Sequence, residues 1–243
     1  FLFSRVLKVE LQENMQFVRP KRGRHLPVVF SKNEVRRLLD HLSAINQLRI
    51  GLLYGTGMRL MECVRLRVQD IDFDYAQIIV RDGKGKKDRV VPLPSTYVKP
   101  LRDHLLNTKT QHEGDLEAGF GGVYLPSALS RKYPNAAKEW GWQYVFPASR
   151  VSTDPRSGVQ RRHHIHESSL QKAIKRAGKA AGLTKRVNCH AMRHSFATHL
   201  LEAGYDIRTV QELLGHADVS TTMIYTHVMN QPGLGVRSPA DLL

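Results

Sequence analysis

The chain has 243 residues, with 37 Lys and Arg against 22 Asp and Glu and a formal net charge of +15. A hydrophobic fraction of 41% can build a core, which excludes a disordered basic tail, and no apolar run approaches the roughly 18 residues of a membrane span. Two cysteines far apart in the sequence give no disulfide framework. We therefore expect an intracellular protein whose partner is a polyanion.

A basic stretch rich in Pro and Gly, Arg19–Pro27, follows residues 1–18, which mix apolar and charged positions. It is typical of a linker that either stays solvated or contacts phosphate. The capping box Ser31-Lys-Asn-Glu34 then begins a helix, so we expect a compact domain from about residue 28.

Helical periodicity covers most of the remaining chain, and three β-rich runs between residues 71 and 93 predict a small antiparallel sheet. The fold class is therefore mostly α with a small antiparallel β-sheet (α+β). Between the last two runs, Arg81–Arg89 predicts a hairpin tip with five cations in nine residues. The predicted helices after the first are Leu48–Tyr54, Met58–Val64, Ser95–Leu106, Pro126–Tyr133, Glu167–Ala181, His190–Ala203, Asp206–Leu214 and Ser220–His227. Residues 108–160, rich in Gly, Pro and aromatics, are interpreted as an insertion.

Two imidazoles and a guanidinium share one helix face in His190-Ala-Met-Arg193-His194. Three potential cations repel each other unless an anion lies among them, which indicates an anion site. The alternative, which this motif taken alone favours, is a helix face exposed to solvent.

In Gly55-Thr-Gly-Met-Arg59, two glycines allow a tight turn and put Arg59 in the first turn of the next helix. There a phosphate is favoured, and the alternative is an ordinary helix corner.

A tyrosine follows a third histidine in the segment Leu213–Tyr225, about a turn and a half into the last predicted helix. Such a tyrosine is ordinarily a core or surface residue. Tyr225 gains weight because it ends an ordered series of residues of suitable types. The series is Arg59, Lys84, His190, Arg193, His216 and Tyr225. This ordered set resembles the active site of the tyrosine site-specific recombinases, over about residues 28–230.

The resemblance implies cleavage of a phosphodiester without a metal ion, nucleotide or other cofactor. Tyr225 would be the nucleophile and form a 3′-phosphotyrosyl link. Arg59 and Arg193 would stabilise the charge that develops on the non-bridging oxygens, because forked cations do so better than point charges. His216 would hydrogen-bond a phosphoryl oxygen.

Proton transfer is assigned to the hairpin and to a histidine by the same resemblance. Lys84 would protonate the leaving 5′-oxygen, with Lys86 and Lys87 as competitors that otherwise bind DNA. His190 would assist proton exchange with the phenol.

Within this family the chain resembles the integron integrases. The similarity lies in the stretch Gly119–Arg162, with motifs such as Tyr124–Pro134 and Trp140–Pro147, and in the tail Gly233–Pro239. It implies a catalytic domain over residues 28–243 that includes the 108–160 insertion and a 228–243 tail. Residues 1–27 would then be a remnant of an N-terminal core-binding domain with its basic linker.

Integron integrases act on double-stranded integron sites and on folded single-stranded cassette sites with bulged bases. Unstacked bases need aromatic planes and imidazoles to stack on. We expect such a pocket from Trp142, Pro155, His163 and His164, with Trp140 as the other candidate aromatic. The alternative is that both tryptophans only bury the inserted helix.

The run Arg161-Arg-His-His-Ile-His166 is expected to present Arg161 and Arg162 to DNA, since its histidines lack the spacing of a zinc site. Glu62 is expected to pack or pair beneath the site, and the two cysteines to be small buried hydrophobes. DNA and further copies of the chain are the expected partners, as a monomer that becomes a tetramer on DNA at the nucleoid in the bacterial cytoplasm.

Three rival functions remain. The insertion argues against a phage-type or chromosome-resolving recombinase on duplex sites. The complete set of six residues argues against a DNA-binding protein without catalysis. A metal-dependent nuclease lacks a carboxylate cluster of convincing spacing.

Overall fold

Helices dominate the part of the chain that the structure, a computed structural model, describes: residues 26–81, 88–155 and 157–226, with the isolated residues 6, 8 and 240. The α-helices are α1 Lys32–Asp40, α2 Ala44–Thr56, α3 Leu60–Val64, α4 Ser95–Glu117, α5 Ser127–Lys132, α6 Glu167–Ala180, α7 Cys189–Glu202, α8 Ile207–Leu214 and α9 Ser220–Met223. The strands are β1 Ile71–Asp72, β2 Gln77–Val80, β3 Arg89–Pro92, β4 Ser152–Thr153 and β5 Gln160–Arg161. None of the helices in these ranges combines the length and hydropathy that a membrane span requires.

The predicted small antiparallel sheet is confirmed. Its order is β1-β2-β3, and β2 pairs with β3 over four positions, from Gln77 opposite Pro92 to Val80 opposite Arg89. Ile78 and Val80 are buried while their neighbours on β2 are half-buried, which is the alternation of a strand with one face on the core. A second hairpin, β4-β5, lies within the insertion.

The central helix α2 organises the core, because it packs against α7, α4 and α6. Its Ile50, Leu52 and Leu53 are fully buried, and they meet Met192 of α7 and Ile174 of α6 in one apolar cluster. Each such side chain contributes about 1.5–3 kcal/mol on burial. Because α2 is buried on most of its surface, packing holds its position in the domain. Its C-terminal end carries part of the site described below.

The residues that the sequence predicts at several helix ends lie there in the structure. Ser31 caps α1 with a full capping box to Glu34. Gly57 ends α2 at φ 66° and Gly215 ends α8 at φ 61°, in the left-handed region that glycine adopts without strain. Gly182 and Gly204 likewise follow α6 and α7 at positive φ.

Several predicted helix boundaries are wrong. Helix α2 begins at Ala44 and not at Leu48, and helix α4 ends at Glu117 and not at Leu106, so residues 108–117 are helical. Arg59 lies at the N-cap of α3, one residue before the helix begins. Helix α9 ends at Met223, and Tyr225 lies in the turn beyond it, because Tyr225 packs against α7 and α8 instead of extending the helix.

The insertion has its own small core of Val123, Leu125, Ala136 and Tyr144. Two arginines fasten it to the rest of the domain. Arg162 forms a two-pronged ion pair with Asp115 of α4, and Arg67 reaches it from the loop that leads to β1. The residues at 1–5, 7, 9–25, 227–239 and 241–243 lie outside the described part, as do most of the predicted linker and tail.

Candidate active site

Arg193 lies at the centre of the candidate site and is only 1% exposed. Its Nη1 donates to the Gly57 carbonyl at 2.5 Å and its Nη2 to the Leu214 carbonyl at 2.6 Å. These carbonyls lie at the C-terminal ends of α2 and α8, where helices leave acceptors unpaired. Burial, followed by the nearby charge of Arg59, lowers the pKa of Arg193, but a guanidinium stays charged at neutral pH. The helix ends therefore orient a buried cation without neutralising it.

A single carboxylate, Glu62, holds two further guanidiniums beside Arg193. It accepts from the backbone N–H and the Nη1 of Arg59, both at 2.8 Å, and from both Nη atoms of Arg89. Burial opposes its ionisation, but the hydrogen bonds from Arg89 and Arg59 lower its pKa to about 2. The prediction that Glu62 packs or pairs beneath the site is confirmed, because Glu62 pairs with Arg59 and Arg89. Glu62 pairs with two guanidiniums, and Arg193 adds a third beside them, so these four side chains together have an excess of positive charge.

Three imidazoles line the same cluster. His216 is hydrogen-bonded through Nδ1 to the Thr222 hydroxyl at 2.9 Å. Burial and the charges of Arg193 and Arg59 lower its pKa to about 3. His190 is exposed, and its ring meets the edge of the His194 ring with centroids 4.4 Å apart. Burial, followed by Arg193 and Arg59, also lowers the pKa of His190. At neutral pH these rings are uncharged hydrogen-bonding groups.

Tyr225 closes the cluster and is 1% exposed. Its hydroxyl lies 2.9 Å from Nδ1 of His194, and its ring lies nearly parallel to that of His216 at 6.4 Å. Burial raises the pKa of the phenol, although Arg193 and Arg59 act in the opposite direction. The site therefore combines a neutral phenol, a potential nucleophile, with buried forked cations that suit a tetrahedral oxyanion.

The structure brings together five of the six residues in the ordered set: Arg59, His190, Arg193, His216 and Tyr225. Lys84 lies outside the described residues, as do Lys86 and Lys87. The described feet of their hairpin are fixed. Arg81 contacts the buried Asp70 with Nε 2.5 Å from Oδ1, and Arg89 is held by Glu62.

The four residues of the expected base pocket lie in or next to the insertion, in different surroundings. Trp142 is half-buried against the insertion core, and Pro155 is exposed in the β4-β5 turn. His164 meets the edge of the Tyr144 ring at 5.2 Å and its Nδ1 lies 2.8 Å from the Ile165 carbonyl. His163 is half-buried.

The other candidate tryptophan, Trp140, stacks on His112 at 6.0 Å and packs against the main core. This packing joins the insertion to the main core. Trp142 contacts a separate, smaller cluster, which also takes Leu129 of the inserted helix α5.

Arg161 and Arg162 direct their guanidiniums inwards. Arg161 donates to the Val123 carbonyl at 3.0 Å, and Arg162 donates to Asp115 and to the Ala148 carbonyl. These bonds give both residues a structural role that the sequence does not indicate, and their contact with DNA stays a prediction. Within the described ranges, no three His, Cys, Asp or Glu side chains form a group suited to a metal ion.

Sequence reasoning missed Arg67. Its Nη1 donates to the Trp142 carbonyl at 2.6 Å, its Nη2 donates to the Tyr124 carbonyl at 3.0 Å, and the guanidinium lies 3.9 Å from the Tyr144 ring centroid. Nothing in the segment Arg65-Leu-Arg-Val68 marks this residue, because its three contacts lie 57 to 77 positions away.

Comparison with known proteins identifies the family of the chain. The family described as "Phage integrase family" matches residues 29–231. Proteins named "Integrase/recombinase" from Escherichia coli and Pseudomonas aeruginosa are 52% identical over 243 residues, which is all of this chain and 72% of theirs. Tyrosine recombinase XerA from Thermococcus kodakarensis is 36% identical over 212 residues, 86% of this chain and 61% of that protein.

Solved structures share the fold. A crystal structure of XerA recombinase superposes with a TM-score of 0.60 at 32% identity, over 93% of this chain and 67% of that one. The XerH site-specific recombinase, bound to a palindromic difH substrate in a post-cleavage complex, gives a TM-score of 0.61 at 26% identity. That match covers 92% of this chain and 56% of XerH.

Proposed function

Because this chain belongs to the phage integrase family, that of the tyrosine recombinases, we propose that it recombines the gene cassettes of integrons through Tyr225. Site-specific DNA recombination is the activity of its relatives, and the chain is homologous to their catalytic domain. The observation that supports the proposal most is the phenol of Tyr225, buried in a cluster with the guanidiniums of Arg59 and Arg193.

The proposed reaction is an in-line attack of the Tyr225 hydroxyl on the scissile phosphorus. Arg193 and Arg59 bind the two non-bridging oxygens, where charge grows in the transition state. His216 and the exposed His190 donate hydrogen bonds to the same phosphoryl group, and His190 assists proton exchange. Because the guanidiniums are already held by Glu62 and by helix-end carbonyls, little reorganisation is needed as the charge develops.

The leaving 5′-oxygen requires a proton, which Lys84 supplies in this proposal. The product is a 3′-phosphotyrosyl link, and a new 5′-hydroxyl reverses the reaction and joins the strands. Each bond broken is replaced by one of similar energy, so the exchange needs no nucleotide as an energy source. The guanidiniums and imidazoles take the charge-stabilising role that a metal ion has in other phosphoryl transfers.

The choice of integron cassettes rests on the insertion between α4 and α6. Arg67 and Arg162 fix it beside the catalytic core, and Trp142, His163 and His164 offer planar groups to bulged bases of folded single-stranded sites. The second candidate is a Xer-type recombinase that acts on duplex sites. It is favoured by the relatives named XerA, XerD and XerH.

Assembly completes the proposal. The chain acts as a homotetramer on DNA and is a monomer without it, in the bacterial cytoplasm at the nucleoid. Residues 1–27 belong to a core-binding domain and its linker, and residues 228–243 form the tail of the catalytic domain 28–243.

A nicked suicide substrate tests the chemistry, because loss of the short 5′ fragment traps the protein on DNA. Wild-type protein should form a covalent adduct in the presence of EDTA, and Tyr225→Phe should form none. An adduct with Tyr225→Phe, or its loss on chelation, would refute the mechanism. Using a folded bottom-strand cassette hairpin and a duplex Xer-type site in parallel separates the two candidates, since the integron assignment requires preference for the hairpin.

A further inference from the structure

The contact between Tyr225 and His194 indicates a role that the proposed function leaves unassigned. Among the described residues, His194 makes the one hydrogen bond to the Tyr225 hydroxyl, at 2.9 Å from its Nδ1, with the ring centroids 5.4 Å apart. His190 contacts the ring of His194 edge-on and is itself exposed. His190 and His194 therefore face different partners.

From this geometry we infer that His194 is the immediate acceptor of the Tyr225 proton during strand cleavage, an inference that rests on the proposed function. A general base must lie within about 2.6–3.2 Å of the atom it deprotonates, and His194 meets this condition. His190 is then left to face the phosphate. The sequence-based expectation is instead that His190 assists proton exchange with the phenol.

Proton transfer to His194 accompanies the exchange of one P–O bond for another. The Oη–H bond of Tyr225 breaks and an Nδ1–H bond forms on His194, while Oη–P forms and P–O5′ breaks. The 5′-oxygen takes its proton from Lys84, the general acid of the proposed function. In the reverse step, the imidazolium of His194 returns the proton to the departing phenol.

The surroundings keep His194 available as an acceptor. Around it are His190 and Arg193 on α7 and Tyr225 beyond α9, with Arg59 and His216 across the cluster. Burial, followed by the effects of His190 and Arg193, lowers its pKa to about 4, so the ring is neutral at pH 7. A phosphodiester bound to the guanidiniums adds a negative charge beside it and favours the imidazolium. Substrate binding thereby raises the basicity of His194 at the moment it is needed.

The test separates proton acceptance from positioning. His194→Asn keeps a polar group near the Nδ1 position but cannot accept a proton at neutral pH, and His194→Phe keeps the ring alone. The matched control is His199→Asn, because His199 lies on the same helix and its Nδ1 is 2.8 Å from the hydroxyl of Tyr54, outside the cluster. DNA binding and thermal melting are measured for each variant.

Cleavage is then followed under single-turnover conditions on two nicked substrates, one with an ordinary scissile phosphate and one with a 5′-bridging sulfur. A thiolate leaves without protonation, so the sulfur substrate rescues loss of the general acid and not loss of the base. Both His194 variants should be slower by about 100-fold or more on both substrates, with DNA binding retained and His199→Asn unaffected. Lys84→Ala should be restored by sulfur.

Wild-type rates in His194→Asn, or restoration of either His194 variant by sulfur, would overturn the inference while leaving the proposed function intact. Failure of the wild-type protein to form an adduct on either substrate would instead overturn the proposed function.

The pH profile of the cleavage rate provides a readout that a purely structural role would not change. The wild-type rate should fall at low pH as His194 is protonated in the complex. This acid limb should be absent in His194→Asn.

Discussion

Glu62 and Arg89 form a two-pronged ion pair, with Nη1 3.0 Å from Oε1 and Nη2 2.5 Å from Oε2. Both side chains are less than 10% exposed, and the same carboxylate holds Arg59. The pair thus connects the start of β3 to the first turn of α3, whose N-cap is Arg59. A carboxylate so placed contributes to stability and to the orientation of Arg59 at once.

We predict that Glu62→Gln lowers the free energy of unfolding at pH 7 by about 3 kcal/mol, because it leaves the buried guanidinium of Arg89 and the half-buried guanidinium of Arg59 without a counter-charge. The folded-state pKa of Glu62 is about 2, below its ordinary 4.5, so its contribution is complete above pH 4.5 and is lost as the pH falls towards 2. Urea unfolding at pH 7 and at pH 3 should show the difference between wild type and variant shrinking at the lower pH. An equal difference at both values would contradict the assignment.

Arg193→Lys should leave DNA binding within a few-fold of wild type and reduce adduct formation by about 10²–10³-fold. A lysine keeps one charge but cannot span the Gly57 and Leu214 carbonyls with a fixed fork. Electrophoretic binding assays and the suicide substrate measure the two quantities separately. The control is Arg208→Lys on the exposed side of α8, which should change neither; parallel loss of binding and cleavage in Arg193→Lys would argue against its role in the transition state.

The sequence singles out Arg59, His190, Arg193, His216 and Tyr225 because their types and order resemble the active site of a known family, and the structure brings these five residues together. Their catalytic roles stay predictions. The last turns of α4 are not predicted, because Thr108 and His112 are polar and give no helical periodicity. The structure buries both, and His112 lies with Nε2 3.0 Å from the Lys138 carbonyl of the insertion. Contacts with distant parts of the chain, and not local periodicity, determine where such a helix ends.

Gly57→Ala should destabilise the protein by about 2 kcal/mol or more, because its φ of 66° is strained for alanine and the new Cβ would lie 2.4 Å from the Phe196 ring. Adduct formation should fall as well, since the Gly57 carbonyl orients Arg193. Gly114→Ala on the exposed side of α4 is the same chemical change with open space around it, and it should stabilise the helix by about 0.5–1 kcal/mol. Chemical denaturation that gave both variants the same sign would refute this reasoning.

Trp142→Ala should weaken binding of cassette hairpins with bulged bases by about 1–3 kcal/mol and leave perfectly paired hairpins of the same length unchanged. Trp140→Ala serves as the comparison: its ring packs on the main core, so it should lower thermal stability and not discriminate between the two hairpins. Fluorescence anisotropy with both hairpins makes the comparison directly. Equal weakening of the two hairpins by Trp142→Ala would remove Trp142 from the base pocket.

The hairpin that carries Lys84 is clamped at both feet, by Asp70 on Arg81 and by Glu62 on Arg89. Both clamps are formed by residues outside 82–87, so the sheet and the guanidinium cluster are tied together by Asp70 and Glu62 at the described ends of this hairpin.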